Sequence, residues 1–225
     1  MRFNRSGAIV AVVWLLVGAA WTWSVASPWW LAWFAVVALF GAFVPGAANQ
    51  VSLARAYLAG PALLYSLRSD FGALAVVVAV AGLTDLVDGT VARRLSGPSQ
   101  LGGALDPVVD GVFMGALTVG LGVGGIIPLW LALIVVARYL LPALGGGLLI
   151  ALGRRPDLRH TLTGQVSTTL ILVLIGGVCL FRGLNQDAGA LLTSAEIVIP
   201  IATVATYVHL GFAALTRPAA ATSAG

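Results

Sequence analysis

The sequence predicts an all-α, polytopic integral membrane protein, a bundle of bilayer-crossing helices, and three observations lead there. Hydrophobic residues make up 60% of the 225 positions and charged residues only 9%, where a soluble domain carries about a quarter charged residues. Mean hydropathy is +1.02. The chain also divides into eight apolar segments bounded by Arg, Pro and Gly, most of them near the 20 or so residues that a helical span requires.

The first segment, near 7–26, follows Arg2 and Arg5 and ends in Ser-Val-Ala-Ser. A basic start before an apolar run also outlines a signal peptide, but this run is long for a signal core, so it reads as an uncleaved membrane helix. The second, near 29–45, follows Ser27-Pro28 and is short, which leaves a hairpin or a seven-span arrangement as its alternative. The third, near 49–66, carries Asn49, Ser52 and Arg55, and the fourth, near 71–92, runs from beyond Arg68 to Arg93-Arg94. The fifth lies near 103–123, and the sixth, near 127–152, opens on Pro128 and ends before Arg154 and Arg155. The seventh, near 161–181, closes at Arg182; the eighth, near 191–215, closes at Arg217, and the tail after it reads as disordered.

Arginine placement orients the spans. Arg2, Arg5, Arg93, Arg94, Arg154, Arg155, Arg159 and Arg217 fall on one side, against Arg68 and Arg182 on the other. Positive charge is retained in the cytoplasm, so both termini are expected there. Trp21, Trp23, Trp29, Trp30 and Trp130 then fall at outer ends, where aromatic belts form. All twelve basic residues are Arg, the mark of a GC-rich genome, and a bacterial or archaeal cell membrane is the expected location. The net charge of +4 suits anionic lipid headgroups, and no basic run interleaved with aromatics calls for nucleic acid. Cys179 is the lone cysteine, which excludes a disulfide framework and a cysteine metal site and leaves it a packing role.

Against this background four of the eight acidic residues crowd into one stretch, Asp85 to Asp110. Asp85 and Asp88, three apart, share a helix face at the end of the fourth span, and Ala92 continues it. Asp106 and Asp110, four apart, share a face at the start of the fifth span, with Gly102 four before Asp106. Two helices joined by a cytoplasmic loop thus present two acid pairs, and Gly89, Ala92, Gly102 and Gly103 remove bulk where backbones or a ligand approach. One Asp at the bilayer centre costs about 2.5–3.5 kcal/mol, and four close carboxylates also repel. Protons or cations must neutralise them, and Arg93 with Arg94 cannot offset all four. Hard oxygen donors favour Mg²⁺, Mn²⁺ or Ca²⁺ over Zn²⁺.

The stretch reads D-x-x-D-G-x-x-A-R, eight residues, then G-x-x-x-D-x-x-x-D, through Asp85, Asp88, Gly89, Ala92, Arg93, Gly102, Asp106 and Asp110. It resembles the signature of the CDP-alcohol phosphotransferases, the integral-membrane enzymes of phospholipid synthesis, with every spacing intact. A second element, N-x-x-[ST]-x-x-R at Asn49, Ser52 and Arg55 followed by Pro61, is similar to that family's first-helix segment, although Ala48 stands where Pro is usual. Thr163 to Thr169 loosely resembles the G-K-x-x-T stretch of phosphatidylglycerophosphate synthases, with Gln165 in the Lys position and Tyr139 where Glu commonly follows the Arg.

The resemblance implies a six-helix core over residues 48–217, preceded by two extra membrane helices in 1–47 and followed by a tail at 218–225. It implies transfer of a phosphatidyl group from a CDP-linked donor, CDP-diacylglycerol, to an alcohol, with release of CMP. Asp85, Asp88, Asp106 and Asp110 would hold one or two divalent cations, Mg²⁺ or Mn²⁺, and Asp110 would also take the acceptor's proton. Asn49, Ser52, Arg55, Gly89, Ala92, Arg93 and Gly102 would meet the nucleotide. Arg138, inside the sixth span, with Arg154, Arg155 and Arg159, suits a phosphorylated acceptor such as glycerol 3-phosphate. The family also implies a homodimer. The alternative reading is an ion- or proton-coupled transporter with buried carboxylates, which gives no reason for the glycine, alanine and arginine spacing.

Overall fold

The computed structural model describes residues 4–25, 27–91, 100–151 and 162–216. They form eight α-helices and no strand: α1 (Arg5–Ser24), α2 (Trp30–Gly41), α3 (Ala47–Leu67), α4 (Phe71–Val91), α5 (Gln100–Val123), α6 (Leu129–Ala151), α7 (Leu162–Gly183) and α8 (Gly189–Thr216). Among the described residues, Arg5–Ser24, Leu105–Val123, Val166–Gly183 and Gly189–His209 are long and apolar enough to cross a bilayer. Trp30–Gly41, Phe71–Thr84 and Leu129–Pro142 are apolar but shorter. In α3 no such run forms, because Asn49, Gln50, Ser52 and Arg55 interrupt it. All four are buried against protein and so do not meet lipid. The chain is a polytopic all-α membrane protein.

Helices α3 to α8 close into a ring. Around it α3 packs on α4, α4 on α7, α7 on α8, α8 on α6, α6 on α5, and α5 back on α3. The ring fills with one apolar cluster that includes Ala62, Leu74, Leu117, Leu131, Ile171, Ile175 and Ile199, each fully buried. Cys179 is part of this cluster and fully buried, so packing is its role. The α3–α5 contact is the most extensive. A Cβ on Gly120 would stand 2.6 Å from Ser66 Cβ and 3.1 Å from the Leu63 carbonyl, so any larger residue would push the two helices apart.

Helices α1 and α2 form an antiparallel hairpin outside the ring, against α3. The Asn4 amide donates to the Ala42 carbonyl at 3.2 Å and the Asn4 side chain to the Val44 carbonyl at 3.2 Å, so the hairpin returns to the level at which it began. With 12 residues α2 is only about 18 Å long, well short of the hydrocarbon thickness of about 30 Å. The expected short second segment is thus the return arm of a hairpin. Its docking is polar as well as apolar: Trp33 Nε1 donates to the Ala56 carbonyl at 2.9 Å, and Gln50 Nε2 donates to the Gly41 and Val44 carbonyls at 2.9 and 2.7 Å. Trp14 stacks on Tyr57 at 4.8 Å. Trp23 and Trp29 are exposed as interface residues should be, whereas Trp21 turns inward and donates to the Tyr65 hydroxyl at 2.7 Å.

Candidate active site

The site is built where the start of α3 meets the first half of α5. Val44-Pro45-Gly46 turns the chain into α3, and Gly46 adopts φ +93, a left-handed conformation open to glycine. Asn49 then folds back one turn, its Nδ2 donating to the Pro45 carbonyl at 2.7 Å. Asn49, Ser52 and Arg55, three residues apart along α3, are all buried, and the charge at Arg55 must therefore be met by protein.

It is met by Asp110. Arg55 Nη1 and Asp110 Oδ1 are 2.5 Å apart, with the arginine side chain 6% exposed and the carboxylate 22%. A buried charge without a partner costs several kcal/mol, so this pair fixes α3 against α5 at a defined height. Two residues singled out from separate sequence motifs, 55 positions apart, are neighbours in space. Asp106 lies one turn before Asp110 on α5, and its Oδ1 is buried with no hydrogen-bond partner. A buried, unsatisfied carboxylate oxygen is costly unless a ligand meets it. Pro107, directly after Asp106, has no N–H to give back to the preceding turn of α5.

Asp85, Asp88 and Gly89 are placed on the last two turns of α4, and Gly102 on the first turn of α5, with their side-chain surroundings outside what the structure describes. Ala92, Arg93, Arg154, Arg155 and Arg159 lie outside the described residues. Among the described side chains no three carboxylate, histidine or cysteine groups gather. The donors that are described nevertheless suit a hard cation: carboxylate oxygens, one of them buried and without a hydrogen-bond partner.

Arg138 sits in a different environment. It is buried on α6 where α7 and α8 meet it. Its Nη1 donates to Thr206 Oγ1 at 3.1 Å, and its Nη2 to the Gly164 carbonyl at 3.0 Å and to Thr168 Oγ1 at 3.2 Å. Gly164 and Thr168 belong to the Thr163–Thr169 stretch singled out above, so that motif and Arg138 also converge. What sequence reasoning missed is the group of hydroxyls around them. Tyr139, Ser167 and Thr203 each bury an oxygen that has no hydrogen-bond partner, as does Arg138 at Nε. The available signal was the density of Ser and Thr in the seventh and eighth apolar segments.

A family model described as CDP-alcohol phosphatidyltransferase matches residues 46–216. A probable cardiolipin synthase (CMP-forming) of Drosophila melanogaster is 34% identical over 140 residues, covering 58% of this chain and 43% of that one. A cardiolipin synthase (CMP-forming) of Streptomyces coelicolor is 41% identical over 98 residues, 40% of this chain and 45% of its own. A probable phosphatidylglycerophosphate synthase of Mycobacterium tuberculosis is 28% identical over 133 residues, 59% of this chain and 62% of its own. The matched stretches thus span about half the length of these relatives. No solved structure matches the chain. The match over 46–216 takes in the whole helical ring from α3 to α8, together with both motifs that meet at Arg55 and Asp110, and the chain belongs to the CDP-alcohol phosphatidyltransferase family.

Proposed function

We propose that the protein is a phospholipid-synthesis transferase that moves a phosphatidyl group from CDP-diacylglycerol to an alcohol and releases CMP. The observation that carries this is the 2.5 Å contact of Arg55 with Asp110, which joins the Asn49–Arg55 element to the aspartate signature in one site. In the reaction, the acceptor hydroxyl oxygen attacks the phosphorus that bears diacylglycerol. The bond from that phosphorus to the bridging oxygen breaks, and CMP leaves with the electron pair. Asp110 takes the hydroxyl proton, and Arg55 supplies the countercharge that keeps Asp110 in place. Asp85, Asp88, Asp106 and Asp110 would hold one or two Mg²⁺ or Mn²⁺ ions, whose charge offsets that of the donor diphosphate. Asn49, Ser52, Gly89, Ala92, Arg93 and Gly102 complete the nucleotide side. Their small size and hydrogen-bonding groups suit a ligand lying between α3, α4 and α5.

The acceptor side is assigned to Arg138, Arg154, Arg155 and Arg159, which favours an acceptor carrying phosphate. The names of the relatives narrow its chemistry. Phosphatidylglycerophosphate and cardiolipin both contain a glycerol esterified to phosphate, so a glyceryl phosphate, free or borne on a lipid, is the acceptor class proposed. The arginine asymmetry supports a site on the cytoplasmic side of a bacterial or archaeal membrane. Residues 48–217 are taken as the catalytic core, with 1–47 as an added hairpin and 218–225 as a tail. A homodimer rests on family membership alone.

The test is reconstitution in vesicles with CDP-diacylglycerol and Mn²⁺ or Mg²⁺, offering sn-glycerol 3-phosphate, phosphatidylglycerol and unphosphorylated polyols in turn. CMP release with one phosphorylated acceptor, abolished by EDTA and accompanied by the matching lipid product, is the expected result. No CMP with any acceptor, together with metal-ion or proton flux across the vesicle, would overturn it in favour of a transporter.

A further inference from the structure

Tyr139 is not part of either motif, and its position invites a role. Its ring begins against Gly111, the residue after Asp110: a Cβ on that glycine would lie 2.9 Å from Tyr139 Cβ. The hydroxyl is buried within polar range of Arg138 and Thr168, in contacts that fall short of hydrogen-bond geometry. It also lies within electrostatic reach of Asp110. Two consecutive residues of α6 therefore bury donors without acceptors, Arg138 at Nε and Tyr139 at its O–H. Tyr139 is thus the residue that neighbours both Asp110, proposed as base, and Arg138, proposed for acceptor phosphate. Tyr207 offers a contrast on the facing helix, because its hydroxyl is spent on the Ala137 carbonyl at 2.9 Å.

We propose that the Tyr139 hydroxyl is an acceptor-recognition group, donating to an oxygen of the glyceryl phosphate so that the reacting hydroxyl is held at Asp110. An oxyanion or ester oxygen between the two orphaned donors satisfies both at once, and neutral apolar ligands satisfy neither. Glycine at 111 lets the ring lie close against α5, so that the hydroxyl is held inside the bundle and not in the lipid. The inference rests on the phosphatidyl-transfer reading above, since it names what that site holds.

Tyr139→Phe keeps the ring on Gly111 and removes only the hydroxyl; Tyr207→Phe removes a hydroxyl of purely structural use. For the wild type and both variants, CMP release is measured with the acceptor varied at saturating CDP-diacylglycerol, and the reverse. The acceptors are sn-glycerol 3-phosphate and phosphatidylglycerol in separate arms. Tyr139→Phe is expected to raise the acceptor KM about tenfold, the loss of one hydrogen bond to a charged or polar ligand, while the donor KM is unchanged. The arm that shows the rise tells a free from a lipid-borne acceptor. Unchanged acceptor KM, equal changes in both KM values, or the same change in Tyr207→Phe would overturn the assignment. If the wild type releases no CMP, the phosphatidyl-transfer reading fails by itself, and thermal stabilisation by each acceptor compound then decides for Tyr139. Stabilisation of the wild type that Tyr139→Phe alone loses upholds it, while equal stabilisation of both, or of neither, overturns it.

Discussion

Two arginines are buried in the helical ring, and they are housed in opposite ways. Arg55, on α3, faces a carboxylate at 2.5 Å. Arg138, on α6, faces two hydroxyls and a carbonyl, all formally neutral. In the first case charge meets charge, and losing Asp110 takes the counterion from an arginine buried inside the bundle. In the second, the partners are already provided for: Thr206 Oγ1 donates to the Ala202 carbonyl at 2.8 Å, and Thr168 Oγ1 to the Gly164 carbonyl at 3.0 Å. The positive charge of Arg138 therefore has no anion among its hydrogen-bond partners, and helix stability alone gives little reason to retain it. That difference is what the proposed roles of the two residues predict: an ion pair built into the site at Arg55, and at Arg138 a cation available to an acceptor phosphate.

The largest effect should come from breaking the first arrangement at its acid. Asp110→Asn preserves shape but removes both the proposed base and the charge that Arg55 meets. CMP release should fall by about 10²–10⁴-fold, the span of general base catalysis; turnover within a few-fold of wild type would remove Asp110 from that role. Next is Arg55→Met, which takes the countercharge from the partly exposed Asp110 and should cost about 1.5–3 kcal/mol of stability, the worth of a hydrogen bond between charged groups. Thermal unfolding in detergent reads this loss. Combining Arg55→Met with Asp110→Asn should restore much of the stability and none of the activity. A double variant as unstable as Arg55→Met would show that packing, and not charge, was the source of the loss.

Much of this contrast was legible in the sequence, and the limits have physical causes. Helical periodicity was enough to put Asn49, Ser52 and Arg55 on one face and Asp106 with Asp110 on another. Hydropathy marked the segments that became α3 to α8. It could not give their order around the ring, α3–α4–α7–α8–α6–α5, because Leu, Val and Ile face lipid and neighbouring helices alike. Trp21 shows the same limit. An indole near a membrane surface satisfies its N–H with water or with a neighbour, and only the fold shows that Tyr65 is the partner. Tyr139 was visible only as a departure from a pattern. Its significance lies in a buried hydroxyl without a partner, which no spacing encodes.

The smallest effects test whether Arg138 is held as loosely as its partners imply. Arg138→Met should change stability by no more than about 1 kcal/mol, because it removes a buried charge together with hydrogen bonds whose acceptors keep other uses. Acceptor KM should nevertheless rise, and by more than in Tyr139→Phe, since a full charge is lost to the acceptor phosphate. Thr206→Val removes one of the three hydrogen bonds to Arg138 and should cost about 0.5–1.5 kcal/mol in unfolding. In a double-mutant cycle, Thr206→Val combined with Arg138→Met should cost less than the sum of the two, by about the energy of the shared bond. Strict additivity would mean that Thr206 contributes through the Ala202 carbonyl alone, and Arg138 would then be tied to α7 only and free to turn toward a ligand on the α8 side.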